Sequence, residues 1–349
     1  MKKYIRPVAC VAFMAAGILT SPLMAQNDGA TGSSGGAFKK VGASGGQFLK
    51  IPVGARATGM AGAFNAISDD VTAIYWNPSG LSKLRTVNAN VTYNRWIADF
   101  THNFAAITAP IGENYTIALS ALSFSTGDIP VTTLDRPEGN GSTYSVNDFA
   151  LGLSFAGRIT EQFSVGVNAK YVQNGFSNVA SNGVVFDVGT AYETGIQGIR
   201  LGFSVHNLGS DQQFNGQDLN VNNSGTPGSS TNTNTNQALI TNEFSLPLSF
   251  RAGIASEVLN DETNNLQVAL DFETFSDTPE QFALGAEYTW SNLLIVRGGY
   301  RLGHDEFGLA GGLGLRYEGG SFGGQVDYSI NPTSNLGLVN RISLAFTLK

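Results

Sequence analysis

The chain has 349 residues, of which 42% are hydrophobic, 13% are charged and 43 are glycine, with a formal net charge of −7 at pH 7. A soluble domain carries about a quarter of its residues as charges, so this composition suits a surface facing lipid better than one facing water. An acidic chain without Lys/Arg clusters also lacks the electrostatic footprint of a nucleic-acid binder.

Residues 1–25 read as a secretory signal peptide. Lys2, Lys3 and Arg6 form a basic n-region, Val8 to Leu19 an apolar core, and Leu23-Met24-Ala25 a cleavage site before Gln26. The single cysteine, Cys10, falls inside this segment, so the chain that follows has no thiol for disulfides, thiol catalysis or thiolate metal sites. Beyond residue 25 no apolar run is long enough for a transmembrane helix. Barrel strands alternate and escape such a test.

Residues 26–47, rich in Gly, Ser and Ala, read as a flexible lead. Residues 48–84 carry the clear helical signal: Ser68 is placed to cap a short helix, with Asp69 and Asp70 in its positive first turn. Asn77-Pro78 should end that helix, and a second short turn follows through Leu81. Met60, Phe64, Ile67, Ile74, Tyr75 and Trp76 need burial, which the lumen of a barrel offers. The segment is therefore expected to be a hatch or plug, the alternative being a small periplasmic cap.

From Val87 onward the period becomes two, as in half-buried strands. Residues 266–274 set Leu266, Val268, Leu270 and Phe272 against Gln267, Ala269, Asp271 and Glu273; residues 163–171 and 342–348 alternate in the same way. The expected fold is all-β: a transmembrane antiparallel barrel over residues 85–349, of about fourteen strands. Their starts fall near residues 87, 103, 115, 145, 162, 184, 199, 246, 265, 281, 293, 308, 321 and 338. Connections after even strands are short (PIGEN, RITE, TWSN, EGGS), whereas those after odd strands are mostly longer, including QNGFSNVASNG and the Asn/Thr-rich stretch 207–244. That parity is the asymmetry of outer-membrane barrels, and it sets long loops outside the cell and both termini in the periplasm.

Charges follow the same register. Lys170, Asp187, Arg251, Asp271, Glu287, Arg297, Arg316 and Asp327 all fall opposite the large apolar residues, on the face expected to line the lumen. His102, His206 and His304 are scattered and form no metal-binding spacing. No cofactor, metal site or catalytic group is expected, and the chain reads as a non-enzyme.

The stretch containing Gly54, Arg56, Gly59, Met60 and Gly62, followed by Asp69-Asp70 and by Trp76-Asn77-Pro78-Ser79-Gly80-Leu81, resembles the FadL superfamily of outer-membrane barrels, and within it the PorV/PorQ branch. Val326-Asp327-Tyr328-Ser329 and Arg341-Ile342-Ser343-Leu344 resemble that branch too. Ser79 stands where the superfamily turn has a small Ala, and the chain ends in Leu348-Lys349 instead of an aromatic residue. The resemblance implies a component of type IX protein secretion at the outer membrane, whose partners are a large secretion pore and cargo bearing C-terminal signal domains. The alternative it implies is a channel for long-chain fatty acids or other hydrophobic solutes.

Overall fold

The computed structural model describes residues 44–223 and 235–349. The segment expected to be a signal peptide, most of the expected lead and the middle of the 207–244 stretch lie outside the described residues.

The barrel consists of β1 (Val87–Arg95), β2 (Thr101–Ile111), β3 (Tyr115–Ser125), β4 (Asn147–Arg158), β5 (Phe163–Phe176), β6 (Val179–Glu193), β7 (Arg200–Gly209), β8 (Ser249–Asn260), β9 (Asn264–Phe275), β10 (Thr278–Trp290), β11 (Leu294–Leu302), β12 (Leu309–Glu318), β13 (Phe322–Pro332) and β14 (Leu338–Leu348). Each strand pairs antiparallel with its sequence neighbours, and β1 closes on β14 from Val87↔Leu348 to Arg95↔Asn340. Closure leaves no strand edge unpaired, which is the condition for a sheet to stand in hydrocarbon.

The alternation read in the sequence is the alternation of the wall. Outward side chains are large and apolar: Leu119, Leu153 and Leu313 are 59%, 59% and 55% exposed on the bare chain. Inward neighbours are polar or charged and sealed off, with Asp187, Glu287 and Arg297 at most 4% exposed. A soluble protein inverts that distribution. An apolar exterior around a charged interior needs lipid outside.

Short turns close one end of the barrel, at 112–114, 159–162, 194–199, 261–263, 291–293 and 319–321. The opposite end carries the long connections 126–146 and 210–248. Two turns at that end depart from the expected parity. β5 and β6 are joined only by Ser177 and Asn178, and β9 and β10 only by Ser276 and Asp277. The stretch read as a loop, QNGFSNVASNG, is a tall hairpin whose tip rises on small polar residues, and Asn215–Gly216 from the next loop pairs back onto it.

Residues 44–84 run down the inside. Ser44 bridges Ser245 at the long-loop end, and Gln47 and Lys50 reach Asp277 in a turn at the same end, at 2.8 and 3.0 Å. At the other end Arg85 donates to the Glu113 carbonyl in a short turn. Between them lie a 3₁₀ turn (Gln47–Lys50), α1 (Ala55–Gly59), α2 (Ala73–Trp76) and a second 3₁₀ turn (Pro78–Lys83). The last residue, Lys349, is tied to Ser321 at the short-turn end. Ser44, the first described residue, stands at the opposite end from it.

Candidate functional site

The internal segment packs in two halves. The first, residues 54–67, lies against β8 to β14 and is held by ions. Arg56 is the centre: its Nε and Nη2 donate to the two oxygens of Glu287 on β10, both at 2.8 Å. Its Nη1 reaches Asp69 at 2.5 Å and Asp70 at 3.2 Å. Glu287 also accepts from Arg297 on β11 at 2.5 Å, and Arg297 continues to Asp327 on β13 at 2.7 Å. Paired bidentate geometry is what lets such charges stay buried at all.

Asp271 on β9 accepts the backbone N–H groups of Phe64 and Asn65 at 2.8 and 2.7 Å, so a wall carboxylate pins the segment's main chain. Arg251 on β8 pairs with Glu273 at 2.5 Å, donates to the Tyr75 carbonyl at 3.0 Å and lies over the Tyr75 and Trp76 rings. Arg301 on β11 donates to the Ala61 carbonyl at 3.0 Å.

The second half, residues 77–84, rests on β4 to β6 through neutral groups. Asn77 is the hub: its Nδ2 donates to the carbonyls of Asn65 and Thr190, at 3.1 and 3.0 Å. Its Oδ1 caps the Pro78–Lys83 turn by accepting from Ser79 N–H and Oγ, at 3.2 and 2.7 Å. Pro78 at the first helical position gives up no hydrogen bond, since that N–H has no partner within the turn. The charges of this wall are satisfied among themselves: Lys170 pairs with Asp187 at 2.8 Å, and Asp187 also accepts Asn207 N–H at 2.8 Å.

The cap proposed at Ser68 is not formed. Thr72 occupies the N-cap of α2, and Asp70 accepts from Thr72 N–H and Oγ1 at 2.8 and 2.5 Å in a local turn before it. Ser68 Oγ donates back to the Phe64 carbonyl. Asp69 and Asp70 are thus spent on Arg56 and the turn instead of on a helix end.

Among the remaining motif glycines, Gly54 precedes α1 and Gly59 faces Gly312 on β12. Gly62 adopts φ +88°, the left-handed region where a β-carbon is costly. A β-carbon on Gly80 would overlap the Ser68 carbonyl. Arg316 lies lower, bound to Gln325 and Asn292 at 2.8 Å each.

Strand glycines do more here than relieve curvature. Six of them are seats for the internal segment: Gly166 and Gly189 under Pro78 and Asn77, Gly202 under Asn65, Gly285 and Gly299 under Met60, and Gly312 under Gly59. Their signal was present, because each falls on the inward parity of its strand. Inward Arg301 and Arg341 were missed in the same way, although alternation assigns both.

Two voids between segment and wall are small, about 10 Å³ beside Arg251 and about 30 Å³ beside Lys170, and a third of about 210 Å³ lies between Arg56, Asp69 and Asp70 and the wall at Asn90, Asp327 and Ser343. The first is about one water in size. Larger spaces lie above and below. A cavity of about 480 Å³ opens at the long-loop end, walled by Trp96, Phe100, Phe124, Phe275 and Phe307. A polar vestibule of about 610 Å³ opens at the short-turn end, between Arg56, Asp69, Lys83, Arg316 and the 260–265 turn.

A closed barrel with an apolar exterior, a charged interior and an N-terminal segment packed through its lumen defines a plugged outer-membrane β-barrel. Solved structures agree on the fold. The toluene transporter TbuX of Ralstonia pickettii matches with a TM-score of 0.54 at 12% identity, covering 85% of this chain and 98% of that one. The toluene transporter TodX of Pseudomonas putida matches with a TM-score of 0.51 at 11% identity, covering 84% and 96%. A search of curated proteins returns no significant match. Residues 37–281 match the family described as type IX secretion system protein PorV, and the chain belongs to that family.

Proposed function

We propose that the protein serves type IX secretion as a partner barrel of the secretion pore, receiving exported cargo at the outer face, and that it catalyses no reaction itself. The family match carries this reading: residues 37–281 take in the internal segment and nine complete strands. The filled lumen supports it, because Arg56, Phe64, Asn65 and Asn77 tie the segment to the wall through Glu287, Asp271 and Thr190, as in a scaffold more than a pore. In this reading residues 48–84 are the hatch, the short turns and the C-terminus are periplasmic, and the loops 126–146 and 210–248 face outward to dock protein.

A hydrophobic-solute channel is the second reading. It is favoured by the aromatic outer cavity and by a fold shared with two toluene transporters. One deletion strain separates the two. The secretion role predicts loss of surface-displayed cargo with normal growth on hydrophobic carbon sources. Intact cargo display beside lost uptake would overturn it.

A further inference from the structure

Alternation along β7 breaks at one point, and the break builds a cluster that plays no part in holding the internal segment. Ser204 and His206 are buried on the lumen side, so alternation would send Asn207 to the lipid face. Instead the β6–β7 register slips opposite Asp187, and Asn207 turns inward beside His206, with Leu208 back on the lipid face. Asn207 takes φ +61°, a left-handed conformation that Asn tolerates better than most residues. A bulge of this kind interrupts the ladder and re-aims a side chain. What Asn207 meets is Lys170 on β5, whose Nζ lies 2.6 Å from its Oδ1. The same Nζ lies 2.8 Å from Asp187 Oδ1, on the strand between them.

Further contacts hold each partner in place. Asn207 Nδ2 donates to the Pro247 carbonyl at 2.9 Å, which fixes the amide with its oxygen toward the amine. Asp187 accepts Asn207 N–H at 2.8 Å and Asn168 Nδ2 at 2.9 Å, and His206 Nδ1 lies 3.7 Å from it. Asp187 and Asn207 are both buried. Leu49, Ile74, Phe104, Leu122 and Ala150 line the small void beside Lys170, so its amine faces an apolar surface more than water.

An amine and a carboxamide in contact, with a carboxyl group against the amine, are the parts of an acyl transfer. Holding them together replaces a bimolecular encounter, which is worth an effective molarity of about 10⁵ M or more when the groups are well oriented. We infer that Lys170 and Asn207 join in an isopeptide bond, with Asp187 as the proton carrier. Asp187 takes a proton from the Lys170 ammonium, and the free amine attacks Asn207 Cγ. Withdrawal from water favours that transfer, because desolvation penalises both charged forms. The Nζ–Cγ bond forms and the Cγ–Nδ2 bond breaks. Asp187 gives its proton to the departing nitrogen and takes the one that the new amide nitrogen releases; ammonia carries that proton away as ammonium. No other reagent enters, and nothing is oxidised or reduced. The product is a covalent strap from β5 to β7 at the root of the 210–248 loop, formed once and without turnover.

Tryptic peptide mapping of the purified full barrel tests this. An unlinked chain yields separate peptides 159–170, 171–200 and 201–251, whereas the linked chain yields 159–200 joined to 201–251, since Lys170 is no longer cleaved. The joined species should weigh about 17 Da less than its two parts together, the mass of ammonia. Peptides decide where intact mass does not, because cyclisation of an N-terminal glutamine loses the same mass. Lys170→Gln should yield no joined peptide. Asp187→Asn should keep heat-modifiable migration but cut the joined fraction by about tenfold or more, which separates proton transfer from packing. Barrel refolded in detergent from urea-solubilised inclusion bodies should acquire the bond with no other protein present. Separate peptides 159–170 and 171–200 from the folded wild-type barrel would overturn the inference, and that result needs no variant to fold. An undiminished joined fraction in Asp187→Asn, or a refolded barrel that stays unlinked, would overturn it too.

Discussion

The two halves of the internal segment are held by opposite strategies. Residues 54–67 are bound by charge: Arg56 joins Glu287, Asp69 and Asp70, and Asp271 grips two backbone amides. Residues 77–84 are bound by shape and neutral hydrogen bonds, with Asn77-Pro78 seated on Gly166 and Gly189. Buried ion pairs are costly to break one partner at a time, because the survivor is left desolvated. A neutral seat fails instead when its volume changes. The difference makes the first half the one whose hold can be altered by a single charge and the second half the fixed foundation.

Arg56→Met should therefore have the largest effect. It leaves Asp69 and Asp70 without their shared cation and costs about 3–5 kcal/mol of stability, measurable as a lowered denaturant midpoint. Combining it with Glu287→Gln should cost less than the sum of the two single changes; additivity would mean the pair is not coupled. Gly166→Val tests the neutral half. Its side chain would enter the Pro78 backbone, and overpacking of this kind costs about 1–3 kcal/mol. A wild-type midpoint for that variant would show that the turn does not rest there.

The smallest effect sharpens the contrast within the charged half. Burial pushes the Asp69 carboxyl up, but Arg56 and then Lys83 bring it below its ordinary value of 3.8. For Asp70 burial wins over Arg56, and the charge of Asp69 adds to it, so this carboxyl lies above that value. Ionised Asp69 contributes stability that is present above its ordinary value and lost as pH falls through the lowered one. Ionised Asp70 does the reverse, and its cost vanishes as pH falls through the raised one. At pH 7, Asp69→Asn should destabilise the barrel more than Asp70→Asn. The gap should narrow below about pH 4, where free carboxylates protonate. Equal effects at both pH values would contradict the assignment.

Much of this was legible in the chain. Strand starts expected near 87, 115, 162 and 338 are observed at Val87, Tyr115, Phe163 and Leu338, because alternation survives wherever one face meets lipid. It failed at β6, expected near 184 but beginning at Val179: Ala180-Ser181-Asn182-Gly183 carries no large apolar residue from which to read a face. The α2 cap was misassigned because a Ser-Asp-Asp sequence fits an N-terminus by composition, while the actual turn depends on Arg56 drawing the aspartates away. Sequence parity assigns inward groups such as Glu287 and Arg341 alike. Whether each finds a partner depends on which strands face each other across the lumen, and that distance is written in no single segment.

The central claim is that the segment spanning residues 48–84 seals the lumen, and single-channel conductance in planar bilayers tests it most directly. The intact barrel should stay closed, and a barrel lacking residues 48–84 should conduct at a porin-like level. An open intact barrel, or a deletion variant that folds and still does not conduct, would contradict it.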